Sequence, residues 1–576
     1  MLSGLQMLST TAAASSSGIG VGKPECGGGG GISGEVNSNV VENSACPHEH
    51  VMNCEKAPLA PLVRGGGGNP ASSASDAAAA AVEIDRLKRE KVGAFHEIER
   101  YKRVVTYALV FSLLSFAAAV LVVAWRLTPA EPTFEEMRER VIRTPTEEPR
   151  LCVTVFPESI ARRFDPAEVG EPLLLTPYVE AGRLEEAAAA ARVAHVMQTE
   201  ESYSGFLTVN KELNSNLFFW YFPSRAVAEK RAEDIPLVLW LQGGPGWPTM
   251  YGLFKENGPY LVGWDAERGK TFLVRNKFSW TRDHHMLYID NPVGAGFSFT
   301  EDMSGYPRTD SEVAEGLLSA IVQFIKLYPF MTRGRPAANA TRFFAFGESY
   351  GGSYVVSLAN KFLEKRAADR EFARDLNFAG IGIGNGMISG PDQSLYADYF
   401  NSLGYVDRKQ YEMLKALDEQ VVKTSVEGNY SATILHSQAS LHIFATDIMD
   451  LTNIYDFTFD DNYLTNHEYV CFLQKEQVRR GIHAGGATFH KGHDSYTYLN
   501  ESVMVSKKEW LNGILEDGSI EVLIYNGNLD VIVHVPGMNR VVNSLDWKGK
   551  EEFNRDGRKK FWTWNDDQRK VQVVGD

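Results

Sequence analysis

Cysteine is scarce in this sequence: five residues in 576, too few for a disulfide scaffold. Three of them, Cys26, Cys46 and Cys54, fall in a glycine- and serine-rich stretch, which leaves Cys152 and Cys471 for the folded part. Those two either pair in an oxidising compartment or stand as buried thiols, and both readings stay open. Cys46, His48, His50 and Cys54 have metal-capable side chains, but no second pair stands at zinc-finger spacing, so they read as scattered residues of a tail, with no metal assigned. Positive charge is also short. The 58 Lys and Arg against 73 Asp and Glu give a formal net charge of -15, which excludes nucleic acid as the main partner, because phosphate binding needs a basic surface. What is present, 44% hydrophobic and 11% aromatic residues, is enough for a substantial core in a chain long enough for more than one domain.

Residues 1–103 are expected to form a disordered cytoplasmic tail. Glycine runs at 27–31 and 65–68 and an alanine run at 77–81, set among Ser and Asn, carry too little apolar surface to offset ordering entropy. From 104 to 125 the sequence lacks charge altogether. At about 1.5 Å per residue such a helix covers the roughly 30 Å hydrocarbon core. Arg86, Lys88, Arg89, Lys91, Arg100, Lys102 and Arg103 precede it, while only Arg126, Arg138 and Arg140 fall just after. The asymmetry predicts an uncleaved type II signal anchor, with the C-terminal part lumenal or extracellular, in the secretory or endolysosomal pathway. Residues 126–169, mixed Pro and charge, read as a stalk. Three glycosylation triplets, at Asn339, Asn429 and Asn500, lie on the expected outer side.

Beyond the stalk the pattern turns to strands. Phe206-Leu-Thr-Val209 and Leu217-Phe-Phe-Trp-Tyr-Phe222 predict a hairpin; Ile235-Pro-Leu-Val-Leu-Trp-Leu241 predicts a central strand ending in Gly243-Gly-Pro-Gly246. His285 to Asp290 predicts another strand, and 313–327 a helix. The apolar run from Phe343 to Phe346 then leads into Gly347-Glu-Ser-Tyr-Gly351. That last pattern fits a nucleophile elbow, in which flanking glycines permit a sharp strand-to-helix turn and leave the serine oxygen exposed above the sheet. On its own it also fits an ordinary glycine-serine turn. The order of elements predicts a mainly parallel, doubly wound sheet.

Taken together, these segments resemble the serine carboxypeptidase family. The matching motifs run in family order: Gly170-Glu-Pro-Leu-Leu-Leu-Thr-Pro-Tyr178, Leu239-Trp-Leu-Gln-Gly-Gly-Pro-Gly246, Gly252-Leu-Phe-Lys-Glu-Asn-Gly-Pro259, Ile289-Asp-Asn-Pro-Val-Gly-Ala-Gly-Phe-Ser298, Gly347-Glu-Ser-Tyr350, Gly384-Asn-Gly386 and Leu523-Ile-Tyr-Asn-Gly-Asn-Leu-Asp530. The resemblance implies an α/β-hydrolase domain over 170–576, with a helical cap inserted at about 387–508. It implies an exopeptidase that acts on peptide and protein C-termini at acid pH and needs no cofactor. Ser349 matches the nucleophile, Asp530 the triad acid, and the N–H groups of Gly244 and Tyr350 the oxyanion hole. Trp240, Gln242, Glu256 and Glu348 match the groups that bind the substrate carboxylate. Two glutamates beside a carboxylate repel it unless they hold protons, so their pKa values are expected to be raised.

Two departures stand out. Trp247-Pro248 replaces small residues after the glycine turn, and a bulky indole followed by a proline without a backbone N–H is expected to reshape that rim. The family's catalytic histidine follows the last core strand in a glycine-rich loop, and the sequence reaches Val573-Val-Gly-Asp576 without one. His534, the one histidine after Asp530, reads as an ordinary loop residue. The expectation is therefore a C-terminally incomplete copy of a membrane-anchored carboxypeptidase; the alternative is a catalytically inactive, hydrolase-like binding or adhesion protein.

Overall fold

The computed structural model describes residues 164–265, 270–328, 340–369, 372, 376–458 and 468–556, with the backbone alone of 561–565 and 570–575. The tail, the 104–125 span, nearly all of the stalk, Cys152 and Asn339 lie outside the described residues. Among the described residues no helix is long and apolar enough to cross a membrane.

The core is an eight-stranded sheet. In chain order its strands are β1 (Arg192–Val193), β2 (Ser202–Asn210), β3 (Ser215–Phe222), β4 (Leu237–Leu241), β7 (His285–Ile289), β9 (Arg342–Glu348), β10 (Asn377–Gly384) and β12 (Glu521–Tyr525); β5 (Tyr260–Asp265) and β6 (Lys270–Arg275) form a separate hairpin, and the short β8 (Ala295–Gly296) and β11 (His490–Lys491) pair with each other. Across the sheet the order is β1-β2-β3-β7-β4-β9-β10-β12. Neighbours from β7 to β12 pair in parallel, and β1, β2, β3 and β7 pair antiparallel. The predicted hairpin, central strand and elbow strand all appear. The β5–β6 hairpin was not anticipated, because exposed Trp264, Phe272 and Val274 break the alternation that marks a half-buried strand.

Side chains alternate across the sheet, and this decides which residues meet. On β4, Leu237, Leu239 and Leu241 enter one core layer while Val238 and Trp240 enter the other. On β9, Phe343 and Ala345 share the first layer, and Phe344 and Phe346 lie against the second. The first layer is covered by helix α2 (Asp310–Leu327) and helix α3 (Gly351–Ala368). The second is covered by the short helix α1 (Met250–Lys255). Helix α2 starts with a full capping box, Thr309 and Glu312 each satisfying the other's backbone N–H.

Between β10 and β12 the chain runs through helices, of which the longest are α4 (Arg408–Val426) and α5 (Tyr430–His442). Helix α6 (His493–Leu499) and helix α7 (Lys508–Asp517) bring it back to the sheet. The ends of this insertion meet: the Lys507 N–H donates to the Ile388 carbonyl at 2.8 Å. After β12 comes helix α8 (Val535–Ser544).

Candidate active site

Ser349 sits between β9 and α3 with φ +58°, the left-handed backbone an elbow requires. Its tightness has a steric signature. A methyl group on Gly347 would lie 2.0 Å from the Gly351 carbonyl oxygen, and one on Gly243 would lie 2.5 Å from the Tyr350 nitrogen. Glycine at 243 is thus what lets the Gly243–Gly246 turn rest directly against the elbow. Two further bonds hold that turn, from Trp247 N–H to the Gly243 carbonyl at 2.9 Å and from Gly246 N–H to the Tyr354 hydroxyl at 3.0 Å. Neither the Gly244 nor the Tyr350 N–H finds an acceptor among the described residues. Trp247 does not disturb the turn: its half-buried indole packs edge-on to Tyr251, 6.4 Å between ring centroids, and Pro248 leads into α1.

The four residues matched to carboxylate binding come together on one face. Trp240 pairs with Phe346 and Leu241 with Gly347 across the parallel β4–β9 register. The next step of that register sets Gln242 beside Glu348, both on the Trp240 face. Trp240 Nε1 donates to Gln242 Oε1 at 3.2 Å, and Gln242 Nε2 donates to Glu348 Oε1 at 2.9 Å and to Glu256 Oε1 at 3.4 Å. Trp280 stands edge-on between Trp240 and Phe346, 5.3 Å from each ring, and walls the cluster on the apolar side. Glu256, at the C-terminal end of α1, has its Oε2 sealed from solvent and without a partner among the described residues. Burial raises the pKa of both carboxyls, and for Glu256 the neighbouring Glu348 charge adds to the rise. The pair therefore holds a proton more readily than free glutamates do.

At the far end of β10, Ser349 N–H donates to the Gly384 carbonyl at 3.1 Å. The next residue, Asn385, donates from Nδ2 to Asp530 Oδ2 at 2.9 Å and accepts the Gly527 N–H on Oδ1 at 3.0 Å. Its own φ is +40°. Asp530 Oδ1 accepts the Ile532 and Val533 N–H groups at 2.7 and 3.1 Å. Burial pushes its carboxyl up to about 6 despite these donors. Ser349 and Asp530 thus both reach the Gly384–Asn385 corner. Asn385 lay inside a recognised motif without an assigned role; the signal for it was an amide between two glycines at a strand end.

His534 is buried and occupied elsewhere. Its Nδ1 accepts the Gly537 N–H at 3.1 Å, capping α8, and its ring stacks on Tyr399 at 4.5 Å. Burial lowers its pKa to about 3. Among the described residues no imidazole hydrogen-bonds to Ser349 or Asp530. Away from the site, Asn429 is exposed and caps α5 through its side chain, Asn500 is half-buried, and Cys471 makes no disulfide with a described residue.

Known proteins match this arrangement in sequence. A family model described as serine carboxypeptidase matches residues 194–575. The human protein named probable serine carboxypeptidase CPVL is 37% identical over 415 residues, covering 68% of this chain and 80% of its own. The venom serine carboxypeptidase of Apis mellifera is 36% identical over 411 residues, covering 69% and 83%. Among solved structures, the prohormone-processing carboxypeptidase Kex1(delta)p of Saccharomyces cerevisiae superposes with a TM-score of 0.50 at 21% identity, covering 63% of this chain and 83% of that one, a likeness of fold alone. A family model that takes in most of the chain, including both strands that build the elbow and the Trp240–Gln242–Glu348 face, leaves one assignment: the chain belongs to the serine carboxypeptidase family.

Proposed function

We propose that the protein releases C-terminal residues from peptides through an acyl-enzyme on Ser349, and that it binds substrate best at acid pH. The observation that carries this reading is the amide of Gln242 held between two buried carboxyls beside the elbow. A substrate carboxylate entering there meets the Trp240 and Gln242 donors. It also meets Glu256 and Glu348, which accept it only while protonated, since two like charges and a third repel at short range. As pH rises through the raised pKa values the pair ionises and the carboxylate is expelled. The effect belongs to binding, so it should appear in KM more than in kcat.

In this reading Ser349 Oγ attacks the last peptide carbonyl, and the carbonyl oxygen gains charge toward the N–H groups of Gly244 and Tyr350. Asp530 would orient a histidine that takes the serine proton, a group that none of the described residues supplies. The apolar run at 104–125, with more positive charge before it than just after it, supports a lumenal or extracellular site of action on a membrane anchor.

The test compares a blocked peptide with a free C-terminal carboxylate against its C-terminal amide, at pH 5 and pH 7, with the full-length protein. Cleavage is expected for the acid only and better at pH 5. Ser349→Ala should lower turnover by roughly four orders of magnitude. Equal cleavage of the amide would remove the carboxylate-binding role, and turnover untouched by Ser349→Ala would remove the nucleophile.

A further inference from the structure

Beneath the elbow, on the layer opposite the glutamate pair, lies a sealed ion pair that the carboxypeptidase reading does not use. Lys507 Nζ stands 2.8 Å from Asp310 Oδ2, with side-chain exposures of 1% and 3%. Both oxygens of Asp310 accept from the Tyr350 hydroxyl at 3.0 Å, and the Lys507 ammonium also donates to the Ser502 carbonyl and lies 3.5 Å from the same hydroxyl. Every charge in the group is therefore satisfied. A buried pair of this kind is seldom more stabilising than apolar residues of equal volume, so stability alone does not account for it.

Its connections point elsewhere. Asp310 opens α2, where the helix dipole favours a carboxylate. Lys507 closes the neck of the helical insertion through its N–H to Ile388. Between them stands Tyr350, 1% exposed, whose backbone N–H directly follows the serine and whose ring is a rigid rod with its far end pinned. The Tyr350 ring meets the Tyr354 ring edge-on at 5.2 Å, and the Tyr354 hydroxyl takes the Gly246 N–H. One network thus touches both stretches matched to the oxyanion hole.

We propose that Lys507 and Asp310 are positioning residues: through the Tyr350 hydroxyl they set the direction of the Tyr350 N–H, and they tie the neck of the insertion to the oxyanion end of the elbow. This rests on the reading of Ser349 as a nucleophile. A donor misplaced by a fraction of an ångström loses more in the transition state than in the bound substrate, so the effect should fall on kcat.

The test uses Lys507→Met, the double variant Asp310→Leu/Lys507→Met, and Tyr350→Phe, in the full chain. Lys507→Met is expected to lower kcat at least about tenfold while KM moves less than about threefold. The double variant, with both charges gone, should regain the wild-type Tm but not kcat. Tyr350→Phe keeps the fold and the N–H and should also lose kcat selectively, which keeps the question open to decision if the other variants fold poorly. Hydrogen exchange of the peptide spanning residues 349–354 gives a readout independent of turnover: exchange should quicken in the double variant and in Tyr350→Phe. Full recovery of kcat in the double variant, or unchanged kcat in Tyr350→Phe, overturns the proposal. If the wild type hydrolyses nothing, the function proposed above fails, and hydrogen exchange alone decides here; unchanged protection then overturns the positioning role.

Discussion

On the Trp240 face of the sheet, Glu256 and Glu348 bring two like charges around one amide; on the opposite face, Asp310 and Lys507 bring opposite charges beneath one phenol. Both clusters adjoin the elbow and both are buried. The first is poised to gain or lose a proton, because burial and mutual repulsion disfavour its ionised form. The second has each charge cancelled and every donor engaged. A like-charge pair can report pH and accept a ligand carboxylate, whereas a compensated pair holds its neighbours in one geometry.

The comparison breaks most visibly by removing one member of the compensated pair. Asp310→Ala leaves the Lys507 ammonium buried without a counter-charge and should cost about 3–5 kcal/mol of stability, read by chemical denaturation. A loss below about 1 kcal/mol would mean that the ammonium escapes to water and that the pair is not sealed. Next in size is a pH effect at Asp290, a buried carboxyl at the end of β7 that accepts the Met250 and Phe297 N–H groups and is pushed up to about 7. Its folded pKa lies above the unfolded value of about 3.9, so the stability it contributes is fully present below that value and is lost as pH rises toward 7. Asp290→Asn should remove a slope of about 2–4 kcal/mol across that window, measured as ΔG of unfolding against pH; an unchanged slope would deny the shift. A sharper probe of the like-charge pair is Glu256→Gln with Glu348→Gln, which cancels the repulsion. At pH 7 KM for a free-acid peptide should fall about tenfold and its pH dependence should flatten; a retained pH dependence would place the titrating group elsewhere. The smallest effect is expected of Thr309→Ala, which removes the cap of α2 beside Asp310 but leaves the pair intact. It should cost about 1 kcal/mol with kcat unchanged, checked by thermal unfolding and steady-state kinetics.

How much of this was legible in the sequence follows from what each feature depends on. The central strands are continuous apolar runs, such as Leu237 to Leu241, because both faces are covered, and such runs are readable from local composition. Ser349, Gly243 and Gly347 were legible because tight backbone contact demands glycine at fixed offsets. The Gln242–Glu348 meeting was implied by strand parity but needed the β4–β9 register to become a contact. Asp310 and Lys507 were silent: about two hundred residues apart, each looks like a surface charge until the fold brings them together. The β5–β6 hairpin was hidden for the opposite reason, since its exposed aromatics mimic a core.

The hydrogen bond that closes the neck, Lys507 N–H to Ile388 carbonyl at 2.8 Å, has an evolutionary reading. An insertion whose ends touch can be exchanged like a cassette, since the parent sheet registers only the two ends and not the path between. Replacing what lies between 388 and 507 would then leave the core sheet as it was. Only cassettes that end in a lysine at the outgoing seam would keep the underside of Tyr350 compensated.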